Sequence, residues 1–194
     1  MSLAHKTGII LGELLASRRT FGSRPIILTG YSLGSVVILS ALSYLASLPP
    51  SSDTNPNQIV QDVFLFGTPV ASNHPIWTSA RRVVSGRLVN GYCEGDYILA
   101  VLARVSDIGT GMSTIMQKRQ VDFGVAGLGP VGVRGVENVR CEGVEGHLAW
   151  RGMIGRCLEQ VGAEGLVTRE VKMQARDVGE RINREMMDWA TKKA

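Results

Sequence analysis

Gly30, Tyr31, Ser32, Leu33 and Gly34 form a GxSxG pentapeptide between an apolar run and a helical pattern, a setting that points to an activated serine nucleophile. In a nucleophile elbow the serine adopts a strained conformation at a tight strand-to-helix turn, so the residues two before and two after must be small. Gly30 and Gly34 hold those places. The turn also aims the Leu33 amide and the positive end of the next helix at a reacting carbonyl, which supplies half of an oxyanion hole.

A serine hydroxyl is a poor nucleophile at neutral pH. It needs a histidine to take its proton and a carboxylate to hold that histidine in the right tautomer. The sequence has three histidines. His5 precedes the motif within a helix and suits the role poorly. His74 follows the second strand, in a loop that should open on the same face as Ser32, and so competes with His147. The latter lies in the loop CEGVEGH after the fourth strand and leads into a helix. Chain order in elbow enzymes runs serine, acid, histidine, which favours His147 and sets the acid between the two. Asp96, in CEGD after RLVNGY, meets that description; Glu94 is its nearest rival, with Asp62 and Glu145 behind. Loop acids are also commonly just solvated.

Gly67, Thr68 and Pro69 should make a rigid turn beside the elbow. With Tyr31 and Trp77 they are candidates to wall an acyl pocket, unless they are simply core. The sequence holds no glycine-rich phosphate loop and no metal-ligand cluster, and chemistry of this kind needs no cofactor.

These residues require strands and helices to position them. Leu3 to Arg19 reads as an amphipathic helix through Ile10, Leu11, Leu14 and Leu15. PIILT, from Pro25 to Thr29, has the look of a strand buried on both faces. Ser35 to Leu48 is helical and stops at Pro49 and Pro50. Further strands are expected over Ile59 to Phe66, Arg87 to Tyr92 and Val136 to Cys141, with a last core helix over Leu148 to Val161. Strands alternating with long connections imply a mostly parallel sheet of about four strands flanked by helices. The glycine-rich stretch Ile108 to Pro130 is either an excursion over the active face or a loose insertion. Val171, Ala175, Val178, Ile182, Met186 and Trp189 form one stripe of a charged helix over Glu164 to Ala194.

With 194 residues, 44% hydrophobic and 20% charged, the chain can bury one domain core. A net charge of +4 invites a nucleic-acid reading, but the basic residues are scattered among acids, which argues against it. Cys93, Cys141 and Cys157 have no ligand spacing and read as reduced thiols of an intracellular protein; a Cys93–Cys141 disulfide would require an oxidising compartment. Pro25 to Ser52 lacks any charge and is long enough for a bilayer. Its central glycines and serines favour a strand followed by a helix, so no transmembrane segment is expected.

The strings RPIILTGYSLGS, VFLFGTPV, RRVVSGRLVNGYCEGDYILAVLAR and GVENVRCEGVEGHLAWR resemble the hydrolase domain of the eukaryotic transmembrane and coiled-coil domain protein four family, across most of Leu3 to Gly162. The resemblance implies a serine hydrolase or lipase with Ser32, Asp96 and His147 aligned on the triad, acting on an acyl or lipid ester, in a cytoplasmic protein associated with endomembranes. It makes residues 1–163 the carboxyl-terminal half of an α/β-hydrolase domain and 164–194 a helical tail. On that comparison the first half of the sheet is missing. The Pro25 to Thr29 strand should then expose an apolar edge open to self-association. The second oxyanion donor, which normally comes from the missing half, is lacking, and activity should be weakened accordingly. The alternative is a catalytically silent interaction module of membrane trafficking, with peripheral membrane contact through the tail.

Overall fold

The computed structural model describes residues 2–17, 20–22, 24–49, 59–102, 124–144 and 146–193. Strands Ile26–Tyr31 (β1), Val60–Phe66 (β2), Leu88–Tyr92 (β3) and Val136–Arg140 (β4) form one sheet in the order β1-β2-β3-β4, with every neighbouring pair parallel. Helices Ser2–Ser17 (α1), Leu33–Ser47 (α2), Ile76–Val83 (α3), Trp150–Gln160 (α4) and Thr168–Lys193 (α5) flank it, with a helical turn over 97–102 and a 3₁₀ turn at His147–Ala149. This is the α/β class that the alternating pattern implies.

The two-residue period of the strands assigns the core to two layers. Val63, Leu65 and Leu88 point to one face, where they pack with Leu39, Leu42 and Leu45 of α2, Leu15 of α1, and Trp77 and Ala80 of α3. Phe64, Phe66 and Val89 point to the other, against Trp150 and Cys157 of α4. The inner strands β2 and β3 are therefore apolar on both sides. β1 is not, contrary to the reading of PIILT: it forms a sheet edge, its exposure alternates, and Ile27 is 50% exposed. The cause is position. Among the described residues α2 covers one face of β1, while α4 lies against β2 on the opposite side and does not reach over the outer face of β1.

The uncharged stretch after Pro25 divides into β1 and α2, and no helix among the described residues is long and apolar enough to cross a membrane. Most of the excursion expected over Ile108 to Pro130 lies outside the described residues. Its last part is pinned to the sheet: Cys93 donates its amide to Gly127 O, Gly127 donates to Thr68 O, and Asn90 Nδ2 donates to Gly129 O. α5 packs its beginning on α4, where Val171 sits over Gly155; the side chains of Val178, Ile182, Met186 and Trp189 lie outside the description. Cys93, Cys141 and Cys157 are free, buried thiols.

Arg87 clasps the sheet to the end of α4. Its guanidinium donates to both carboxylate oxygens of Glu137 on β4, and to the carbonyls of Val161 and Gly162 at 2.7 and 3.1 Å. Arg87→Met should lower stability by about 1–2 kcal/mol, a fall of about 3–8 °C in the thermal midpoint, mostly through the two carbonyls left without a charged donor. The half-exposed ion pair itself adds little. The Arg87 hydrogen bond holds the Glu137 carboxyl below the usual carboxylate range. That small contribution is full at neutral pH and is lost as the pH falls through the lowered value. Thermal melts of both proteins at neutral and acid pH measure it.

Candidate active site

All the chemistry-bearing loops open at the carboxyl ends of the strands, the usual location of sites in parallel sheets. Ser32 follows β1 directly, and α2 starts at the next residue. β1 therefore runs two residues further than the sequence suggested, and the helix begins two residues earlier, leaving Ser32 as the whole turn. Its backbone sits at φ 50, ψ −125, and it is the one non-glycine residue with positive φ among those described. That strain, of about 1–3 kcal/mol, is over-determined by its surroundings. The Ser32 amide donates to Phe66 O at 2.9 Å, and Ser35 Oγ donates to Gly30 O at 3.0 Å, with a longer contact to Phe66 O. These bonds carry the β1–β2 ladder one step past the strand and tie the first turn of α2 to both strands.

The two motif glycines are not equivalent. A Cβ on Gly30 would come 2.7 Å from Ile38 Cδ1 and 3.0 Å from the Gly34 carbonyl carbon, whereas a Cβ on Gly34 would meet no described atom within 4 Å. The helix approaches the strand over Gly30, with the backbone of residue 34 as the contact. The expectation that both positions must be small is thus corrected for Gly34. Gly34→Ala should fold as well as the parent or gain up to about 1 kcal/mol from helix propensity. Gly30→Ala should distort the elbow and lose stability of about 1–3 kcal/mol. Paired denaturant melts compare them.

His147 is the histidine brought to Ser32. Its Nε2 lies 2.7 Å from Ser32 Oγ and its Nδ1 lies 2.7 Å from Asp96 Oδ2. Because a carboxylate only accepts, the proton belongs on Nδ1, and Nε2 is left to accept from the serine hydroxyl. Asp96 is wholly buried and His147 is 13% exposed at its side chain. Two further donors reach the acid: the Leu99 amide to Oδ1 at 3.0 Å, which caps the 97–102 turn, and Trp150 Nε1 to Oδ2 at 3.0 Å.

The competing residues are occupied elsewhere. His74 Nδ1 accepts the Ile76 amide at the start of α3, and His5 Nδ1 bonds Ser40 Oγ on α2. Glu94 is exposed and faces Arg140 at 3.8 Å, Asp62 accepts the Arg87 amide, and Glu145 lies outside the described residues. Cys93, a nearby thiol, is pushed up by burial and so stays protonated at neutral pH, a poor rival nucleophile.

The Leu33 amide, in the first turn of α2, has no acceptor within the helix and lies at its positive end. Tyr31 is partly exposed beside it. Thr68 is fully buried, with a hydroxyl that has no partner among the described residues, and Pro69 is half-buried. Trp77 is fully buried among α2 and α3 residues and donates Nε1 to Ala71 O, so its place is the core and not a pocket wall. Exposed apolar side chains, Leu33, Tyr97, Ile98 and Leu148, follow the three residues by one or two positions in the sequence. Sequence reasoning passed over Trp150. The available signal was its spacing, three residues after His147 at the start of a helix, which places both on the same side.

A family model described as "Protein of unknown function (DUF726)" matches residues 1–164. An uncharacterized membrane protein of Schizosaccharomyces pombe is 38% identical over 164 residues, covering 84% of this chain and 19% of its own length. The "Probable lipase MIL1" of Saccharomyces cerevisiae is 33% identical over 183 residues, covering 94% of this chain and 15% of its own. The "Transmembrane and coiled-coil domain-containing protein STS1" of Oryza sativa subsp. japonica is 36% identical over 157 residues, 80% of this chain and 21% of its own. The chain thus spans about a fifth or less of the length of these relatives. No solved structure matches.

Proposed function

From the premise that this chain belongs to the family described as Protein of unknown function (DUF726), we propose that it is a serine ester hydrolase of the esterase or lipase type, built on the carboxyl-terminal half of an α/β-hydrolase sheet. The observation that carries the reading is the unbroken hydrogen-bonded series from Ser32 Oγ through His147 to Asp96, with 2.7 Å at both steps. The likeness to a protein named a probable lipase supports the same chemistry.

In this mechanism His147 Nε2 takes the proton as Ser32 Oγ attacks the ester carbonyl. Asp96 holds the imidazole in place and offsets the positive charge it acquires. The oxyanion forms beside the Leu33 amide and the start of α2. His147 then returns its proton to the leaving alcohol, and water releases the acyl group by the same steps in reverse roles. An acyl or lipid ester matches the exposed apolar side chains that adjoin the three residues in sequence, Leu33, Tyr97, Ile98 and Leu148, better than a charged substrate does. Use of an alcohol in place of water would make the same residues an acyltransferase.

The test is covalent labelling of the folded chain with a fluorophosphonate, followed by peptide mapping. The expected result is a single modified peptide carrying Ser32. A folded chain that takes no label defeats the reading. It would favour the second reading, an interaction module without turnover, for which the specific observation is the open β1 edge with Ile27 half exposed. In that case self-association should depend on Ile27 and be indifferent to Ser32.

A further inference from the structure

The acid of the site is held by more than the histidine, and we infer that Trp150 is a positioning residue for Asp96, with Gly67 shaped to admit its indole. The inference rests on the hydrolase reading above. Asp96 Oδ2 accepts from two donors, His147 Nδ1 at 2.7 Å and Trp150 Nε1 at 3.0 Å, while Oδ1 accepts the Leu99 amide at 3.0 Å. The carboxylate torsion of an aspartate is soft and twofold, so a single partner leaves the group free to twist. Three donors from three directions fix its plane, and the imidazole bonded to it keeps the angle that aims Nε2 at Ser32 Oγ.

The surroundings of Trp150 are built for this bond. The side chain is fully buried, as is Asp96, and a buried indole N–H requires an acceptor. Its ring packs beside Phe66 at 5.8 Å between centroids. At the next residue the chain turns at φ 53, and a Cβ on Gly67 would come 2.8 Å from Trp150 Nε1. Any side chain there would push the indole off the carboxylate. The end of β2 contributes no group to the bond-making steps; it seats the indole. The 3₁₀ turn that carries His147 runs straight into α4, so one short segment delivers the imidazole and the indole to the same oxygen.

A packing role alone would be met by phenylalanine, and that substitution is the test. Fluorophosphonate inactivation of the full chain is followed over a range of probe concentrations. Trp150→Phe should lower the maximal inactivation rate about ten- to thirtyfold, as expected for a lost hydrogen bond to a charged group, and leave the half-saturating concentration within about twofold. Gly67→Ala should act in the same sense with the indole still present. In ¹⁵N-labelled protein the Trp150 indole cross-peak, assigned by its through-space contact with the Phe66 ring, should shift on Asp96→Asn. A Trp150→Phe protein that reacts at the parental maximal rate overturns the inference, as does an indole peak indifferent to Asp96→Asn. Should Trp150→Phe not fold, Gly67→Ala and the indole peak decide. If the unsubstituted chain takes no label, it is the hydrolase reading that falls, and the indole peak alone then decides the contact.

Discussion

Ser32→Ala should abolish fluorophosphonate labelling and lower the hydrolysis of a short-chain p-nitrophenyl ester by about four to six orders of magnitude, the range in which loss of a triad nucleophile falls. The reason is specific to this residue. Among the described residues the hydroxyl is the group that bonds His147 Nε2, at 2.7 Å, and Cys93, buried and protonated, cannot replace it. The fold should survive, because the bonds that close the elbow use the Ser32 amide and the Ser35 hydroxyl. Alanine keeps the strain of φ 50, while Ser32→Gly relieves it. The glycine variant should therefore melt at or above the parental temperature and be equally inert. On the proposed reading, the one described non-glycine residue with positive φ keeps its strain for the sake of its hydroxyl. Retained labelling in Ser32→Ala would place the nucleophile elsewhere and sink the assignment.

Asp96→Asn should be nearly as damaging, at about 10⁴-fold in the rate of labelling and of ester hydrolysis. The carboxamide can present its NH₂ to His147 Nδ1, which drives the ring proton to Nε2, and in that tautomer the imidazole has no lone pair for the Ser32 hydroxyl. Loss of charge also removes the group that offsets the imidazolium. A smaller structural effect accompanies this, about 1–3 kcal/mol, because the buried acid accepts from Leu99 and Trp150 as well. Near-ultraviolet circular dichroism separates the two effects. Glu94→Gln is the control: Glu94 is exposed and faces Arg140 at 3.8 Å, so its loss should leave the rate within about twofold. If the glutamine variant lost activity and the asparagine variant did not, the acid would have been misassigned.

Much of this arrangement is written locally. The change from the β-branched run PIIL to the three-to-four-residue period of SVVILSAL marks β1 and α2, and a serine between glycines at that junction marks the elbow. Four strands separated by helical connections give a parallel sheet. In a parallel sheet every strand ends on one side, so residues just past strand ends are neighbours. That is why Asp96 and His147 could be singled out from spacing and chain order. The limits are equally physical. PIILT resembles a doubly buried strand because apolar content reports what a segment could bury and not whether a layer lies over it; among the described residues Ile27 is left 50% exposed. Trp77 and Trp150 look alike in the sequence, yet one donates to a loop carbonyl in the core and the other to the acid.

The sequence by itself determined the period of each element, the order of strands, the turn chemistry at Ser32 and the set of groups able to hold, give or take a proton. These follow from backbone sterics and side-chain type, which act over a few residues. Only the tertiary structure decided which histidine meets the serine, which glycine of the motif bears the strand–helix contact, and which indole closes on Asp96. The first and last of these depend on distances of 2.7 to 3.0 Å between residues 51 to 115 positions apart, and such distances are set by how the layers stack, a property of the whole sheet that no single segment encodes.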